Sequence, residues 1–174
     1  MTAPVWSYRP RINTFGSDLG VAIGAVTGGS SPGSAAFPAA NDAIFVPFVI
    51  QSATPIKRLF SANGTVASGN IDVGIYSEDG ARIVSAGSTA QAGTTDLQFF
   101  DIADLILGPG RYYMAVALDN GTGTLQRANI IVARLQCLGL AKQASAFPLP
   151  ATATFATVTA AYLPVVGAEI KELF

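Results

Sequence analysis

Turn dipeptides set the rhythm of this chain. Between Asn41 and Leu135, short apolar runs are cut by turn signals roughly every 8–14 residues, among them Asn63-Gly64, Asp79-Gly80, Gly108-Pro109-Gly110 and Asn120-Gly121. Such breaks leave little room for helices and predict many short strands. The clearest is Asn70–Ser77, where Ile71, Val73 and Ile75 share one face at period two and Asp72, Gly74 and Tyr76 share the other. Glu78-Asp79-Gly80 then supplies a turn that favours positive φ, and Arg82-Ile83-Val84 starts the return strand. The expected sheet neighbour of this hairpin follows Gly108-Pro109-Gly110 and closes at Asp119-Asn120-Gly121.

Further strands are expected at Ala43–Ile50, Pro55–Ala62, Leu97–Ile102 and around Ile130–Leu135, with a short helical turn at Ala103–Leu107. The run Ala43–Ile50 is apolar on both faces, as in a sandwich strand covered from outside, and Pro47 argues for an edge or a bulge. About eight short strands predict an all-β fold, an antiparallel β-sandwich of jelly-roll type. The expected organisation is an N-terminal arm and linker at 1–43, a core at 44–138 and a C-terminal extension at 139–174. The linker is Thr27-Gly28-Gly29-Ser30-Ser31-Pro32-Gly33-Ser34. The C-terminal extension holds Phe147-Pro148-Leu149-Pro150 and a Thr/Ala alternation over 151–160 that suits a strand.

Only 12% of the 174 residues are charged while half are hydrophobic, and ten basic residues nearly cancel eleven acidic ones. That balance leaves no electrostatic footprint for nucleic acid or an anionic membrane, and it favours association with other subunits. No run reaches the length needed to cross a bilayer. The apolar patch Leu19–Val26 is interrupted by Gly20 and Gly24 and does not read as a signal peptide, so a cytoplasmic protein, or one that leaves inside a particle, is expected.

Histidine is absent, which removes Ser-His-Asp and Cys-His sites and the usual zinc sets. Cys137 is the one cysteine and, among apolar neighbours, is expected as a small buried residue. Glu78-Asp79-Gly80 and Asp119-Asn120-Gly121 could offer oxygen ligands to calcium, but turn chemistry explains both and neither matches a spaced calcium loop. No pair of acids marks a cleft, so no enzyme, no metal and no cofactor is expected.

The remaining candidates are contact residues. Trp6, Tyr8 and Phe15, with Arg9 and Arg11 between them, are unusual in a solvated tail and are expected to bind a partner, as are Phe147 and Phe155. Tyr76 and Tyr113 fall on the face away from the aliphatic stripe. There they either stack on a sugar ring or pack against an arm or second sheet.

The segments Asn70–Tyr76, Gly80–Val84 and Gly87-Ser88-Thr89-Ala90 together resemble a module of tailed-bacteriophage structural proteins. Leu107–Ala117 is similar to that module's later strand. The resemblance covers about half the chain, roughly residues 41–120. It implies a virion protein assembled in the host cytoplasm: a capsid decoration (cement) protein, commonly trimeric, whose arms bind the major capsid protein or other virion proteins. The alternative it implies is a tail or fibre domain that binds a receptor or carbohydrate.

Overall fold

A computed structural model describes the backbone of residues 11–13 and the whole of residues 32–170. The described chain is an antiparallel, all-β sandwich with one short helix. One sheet runs β1 (Arg11–Asn13), β14 (Val166–Ile170), β4 (Thr54–Ala62), β8 (Leu97–Leu107). The other runs β12 (Ala156–Thr157), β11 (Ala141–Gln143), β3 (Ala43–Ile50), β9 (Gly110–Leu118), β5 (Asn70–Ser77), β6 (Arg82–Ser85), and β7 (Thr89–Ala90) also pairs with β5. A small third sheet sets β10 (Thr124–Ala128) between β13 (Leu163–Pro164) and β2 (Gly33–Ala36).

Alternation builds the core. Ile44, Val46 and Phe48 of β3, Ile71, Val73 and Ile75 of β5, and Met114, Val116 and Leu118 of β9 all point inward. They meet Ile56, Leu59, Phe100, Val166 and Ala168 of the facing sheet. A register shift between Ile56 and Arg58 lets both Ile56 and Leu59 reach the core despite their odd spacing. The β5–β6 hairpin turns where expected, with Gly80 at φ 88 and the Gly80 N–H donating to the Ser77 carbonyl. β5 pairs with β9 as the sequence predicts.

Outward residues of β3, β5 and β9 are buried too, away from the end that holds exposed Val49 and Arg111. Ala43, Phe45, Tyr76, Ala115 and Ala117 form a second apolar cluster with Ala146, Leu149 and Ala153 of the chain that follows β11. The expected outside cover of β3 is therefore residues 144–158 of the same chain, a strap across the sheet. β11 meets β3 only along Ala43–Phe45, so among the described strands the Pro47 end of β3 is an edge on that side.

Several local expectations change. Residues 103–107 are not a helical turn but the end of β8, because β4 lies alongside and Thr54–Ile56 pair with Leu105–Leu107. The strand expected at 130–135 is instead β10 at Thr124–Ala128 followed by helix α1 (Val132–Cys137). That helix buries Leu135 and leaves Cys137 exposed, correcting the expectation of a buried thiol. The apolar neighbours of Cys137 in sequence are not its neighbours on the helix face.

The organisation differs at both ends of the core. Residues 33–43, grouped with the N-terminal arm by composition, carry β2 and the buried Phe37, whose N–H donates to the Gly123 carbonyl. Residues 139–170 return into the body: the strap closes one face, and β14 lies between β1 and β4, buried from Val166 to Glu169.

Candidate functional site

The expected ligand face is the face under the strap. Tyr76 has no exposed surface, and its hydroxyl donates to the Pro150 carbonyl at 2.5 Å. Its ring meets Phe45 edge-on at 5.2 Å, and Phe155 meets Phe45 at 5.1 Å and Tyr113 at 4.5 Å. Phe147 packs partly buried against the same cluster. The structure thus brings Tyr76, Tyr113, Phe147 and Phe155 together and occupies them with one another.

Polar groups hold the strap down. The buried carboxylate of Asp72 accepts from the Ser85 hydroxyl at 2.7 Å and from the Leu149 N–H at 3.0 Å. Arg82 donates to the Leu149 carbonyl through its guanidinium and to the Ala151 carbonyl through its backbone N–H. Burial pushes the Tyr76 phenol up to about 12, with Arg82 acting against the rise and Asp72 adding to it.

Among the N-terminal candidates, Trp6, Tyr8, Arg9 and Phe15 lie outside the described residues. Arg11 is described by its backbone, which pairs with Glu169 in β1.

The carboxylates of the acidic turns are occupied by neighbouring side-chain and backbone donors. Asp119 accepts from the Asn70 N–H at 2.9 Å and from the Asn70 side-chain amide at 2.8 Å, and Asn120 donates to it at 2.6 Å. Those bonds, the one from Asn120 foremost, hold its carboxyl below the usual range. The Ser77 hydroxyl does the same for Asp79. Among the described residues no three acidic, cysteine or histidine side chains gather where a metal could bind.

One polar cluster escapes the sequence. Asn63, read as half of a turn dipeptide, is fully buried. Its amide donates to the Ala92 carbonyl at 2.7 Å and to Gln98 Oε1 at 2.9 Å, and its Oδ1 accepts from Ser61 and Gln91. Gln91 and Gln98 add bonds to Thr124, Ser68 and Ala90, so the polar loop at 87–95 is pinned to the body. A Gln-rich loop beside a strand end is the signal that could have suggested it.

What stays open is edge and cleft. β8 pairs with β4 alone among the described strands, and Ile106 on it is 69% exposed. A cleft of about 280 Å³ lies at the β3–β11 end, walled by Pro38, Ile44, Val158 and Tyr162, with Asp42 and Lys142 3.9 Å apart in its lining. Burial raises the Tyr162 phenol, and the Tyr162 hydroxyl donates to the Ala35 carbonyl.

No protein-family model matches the chain, no curated protein matches it, and no solved structure matches it.

Proposed function

We propose that this chain is a non-catalytic structural protein of a virus particle, of the capsid-decoration type found in tailed phages, acting as a homo-oligomer on coat-protein neighbours. The observation that carries the reading is β8: an eleven-residue strand, paired with β4 alone among the described strands and bearing Ile106 in solvent. Long edges invite strand addition; exposed Asp101 and Asp104 put two carboxylates on this one, so the strand that adds to it must bring basic or polar residues opposite them. A surface with so few charges supports the same reading, since it loses little solvation when covered. The phage class rests on the resemblance carried by residues 70–90 and 107–117.

The alternative, a carbohydrate-binding domain of a tail or fibre, draws no support from Tyr76 and Tyr113, which the strap occupies. The test is co-sedimentation of the purified chain with undecorated capsids built from the coat protein of the same genome. Saturable binding at a fixed number of copies per capsid is expected, weakened at least tenfold by Ile106→Lys, which sets a charge on the edge. A chain that stays in the supernatant at every concentration overturns the proposal.

A further inference from the structure

Two Asn-Gly dipeptides occur in the chain, Asn63-Gly64 and Asn120-Gly121. Glycine has no side chain to hinder its backbone nitrogen, which can reach the carbonyl carbon of the preceding side-chain amide and close a five-membered ring. The fold treats the two dipeptides differently.

Asn63 is guarded twice. Its side chain is fully buried among Ser61, Gln91 and Gln98, and the Gly64 N–H donates to the Thr124 carbonyl at 2.9 Å. Ring closure there needs the buried cluster and the backbone bond to open together, an event close to global unfolding. Asn120 is guarded by its side-chain bonds alone. Gly121 and Thr122 are exposed, and the Gly121 N–H has no hydrogen-bond partner among the described residues. Asn120 Oδ1 accepts from the Thr122 and Gly123 N–H groups at 2.8 and 2.7 Å, and Nδ2 donates to the Ser68 carbonyl at 2.8 Å and to Asp119 Oδ1 at 2.6 Å. The two N–H groups on Oδ1 also polarise the side-chain carbonyl and stabilise negative charge on its oxygen when the carbon is attacked. Fraying of one exposed turn is enough to free this amide.

We infer that Asn120 is the residue at which the folded protein modifies itself by deamidation. The Gly121 nitrogen attacks Asn120 Cγ and a new C–N bond forms. The bond to Nδ2 breaks, and Nδ2 leaves as ammonia with the proton that the Gly121 nitrogen gives up. Water then opens the cyclic imide to aspartate or isoaspartate. An acid at this position has no N–H for the Ser68 carbonyl and sets a second carboxylate against Asp119. Asp119 holds the backbone N–H and the side-chain amide of Asn70, so the one-way change loosens the junction between the end of β9 and the start of β5. No partner is needed, and the inference stands apart from the capsid reading.

The test follows the peptides that contain residues 63 and 120 by mass spectrometry while the native protein stands in mildly alkaline buffer. The same chain held in urea gives the rate of each dipeptide without the fold. In the native protein, conversion at Asn120 is expected to run at least about tenfold ahead of that at Asn63. A native Asn120 that keeps its amide as long as Asn63 does overturns the inference. Gly121→Ala separates the chemistry from stability. A Cβ there would lie 3.9 Å from its nearest neighbour, the Ala40 nitrogen, and the backbone is not left-handed, so the fold is kept while the methyl hinders the attacking nitrogen. Conversion at Asn120 is expected to slow severalfold in this variant, and an unchanged rate overturns the route through the Gly121 nitrogen. Asn120→Asp is expected to lower the urea midpoint, and an unchanged midpoint overturns the consequence drawn for Asp119.

Discussion

The carboxylate of Asp72 accepts a hydrogen bond from the backbone N–H of Leu149 at 3.0 Å, joining positions 77 residues apart. Asp72 sits mid-strand in β5 and has no exposed surface, so the bond fixes the strap over the sheet while satisfying a buried charge-bearing group. Asp72→Ala strips acceptors from both Leu149 and Ser85 and is expected to cost about 2–4 kcal/mol. Asp72→Asn, which keeps one acceptor oxygen, is expected to cost less. The urea midpoint at constant m-value reads both.

Tyr76 makes stability depend on alkaline pH. Its folded pKa is about 12, against an unfolded value near 10. Between those values the unfolded chain releases the phenolic proton and the folded chain keeps it, so stability is complete below pH ~10 and falls as pH rises towards ~12. Denaturant midpoints measured from pH 8 to about 12 are expected to show that fall, and Tyr76→Phe is expected to blunt it. The same variant loses the bond to Pro150, a cost of about 0.5–1.5 kcal/mol at neutral pH.

The Asn63 cluster holds the loop at 87–95. Asn63→Ala leaves Gln91, Ser61 and Gln98 short of partners, and a loss of about 2–4 kcal/mol is expected. Hydrogen exchange is expected to accelerate first at Ala92 and Gly93, whose carbonyls lose their donor.

Two glycines on strands of different sheets should behave oppositely. A Cβ at Gly74 would stand 2.7 Å from the Val84 carbonyl oxygen and 3.0 Å from Leu149 Cδ1, so Gly74→Ala must move backbone or strap and is expected to cost about 1–3 kcal/mol. A Cβ at Gly33 meets nothing within 4 Å, and Gly33→Ala is expected to leave the melting temperature unchanged or slightly raised.

Cys137 ends α1 in solvent. Its thiol is expected to react with an aromatic disulfide reagent in the native protein at nearly the rate seen in denaturant. A protected thiol would contradict the helical placement.

Much of the sandwich was legible in the sequence because period-two alternation and turn dipeptides are local signals. Ile71, Val73 and Ile75 could face inward in one register only, and Asp79-Gly80 could do little but turn. The doubly apolar β3 announced that something covers its outer face. Nothing local said what.

That identity, and the work of each candidate residue, came from tertiary structure. Phe155 and Phe147 look the same in sequence whether they await a partner or close the chain's own sheet. Only the return of residues 144–158 across β3, β5 and β9 places them with Phe45, Tyr76 and Tyr113. Asn63 before Gly64 has the composition of a turn, yet β10 lies close enough to bridge it at Leu125, and Gln91 and Gln98 reach it from the loop beyond. β14 had too short a pattern to be read as a strand, and it becomes one because β4 offers it a ladder of partners. Short-range chemistry determined which segments extend and where they turn. The pairing of segments far apart in sequence, whose energies depend on neighbours no window contains, decided which faces are closed and which edges remain.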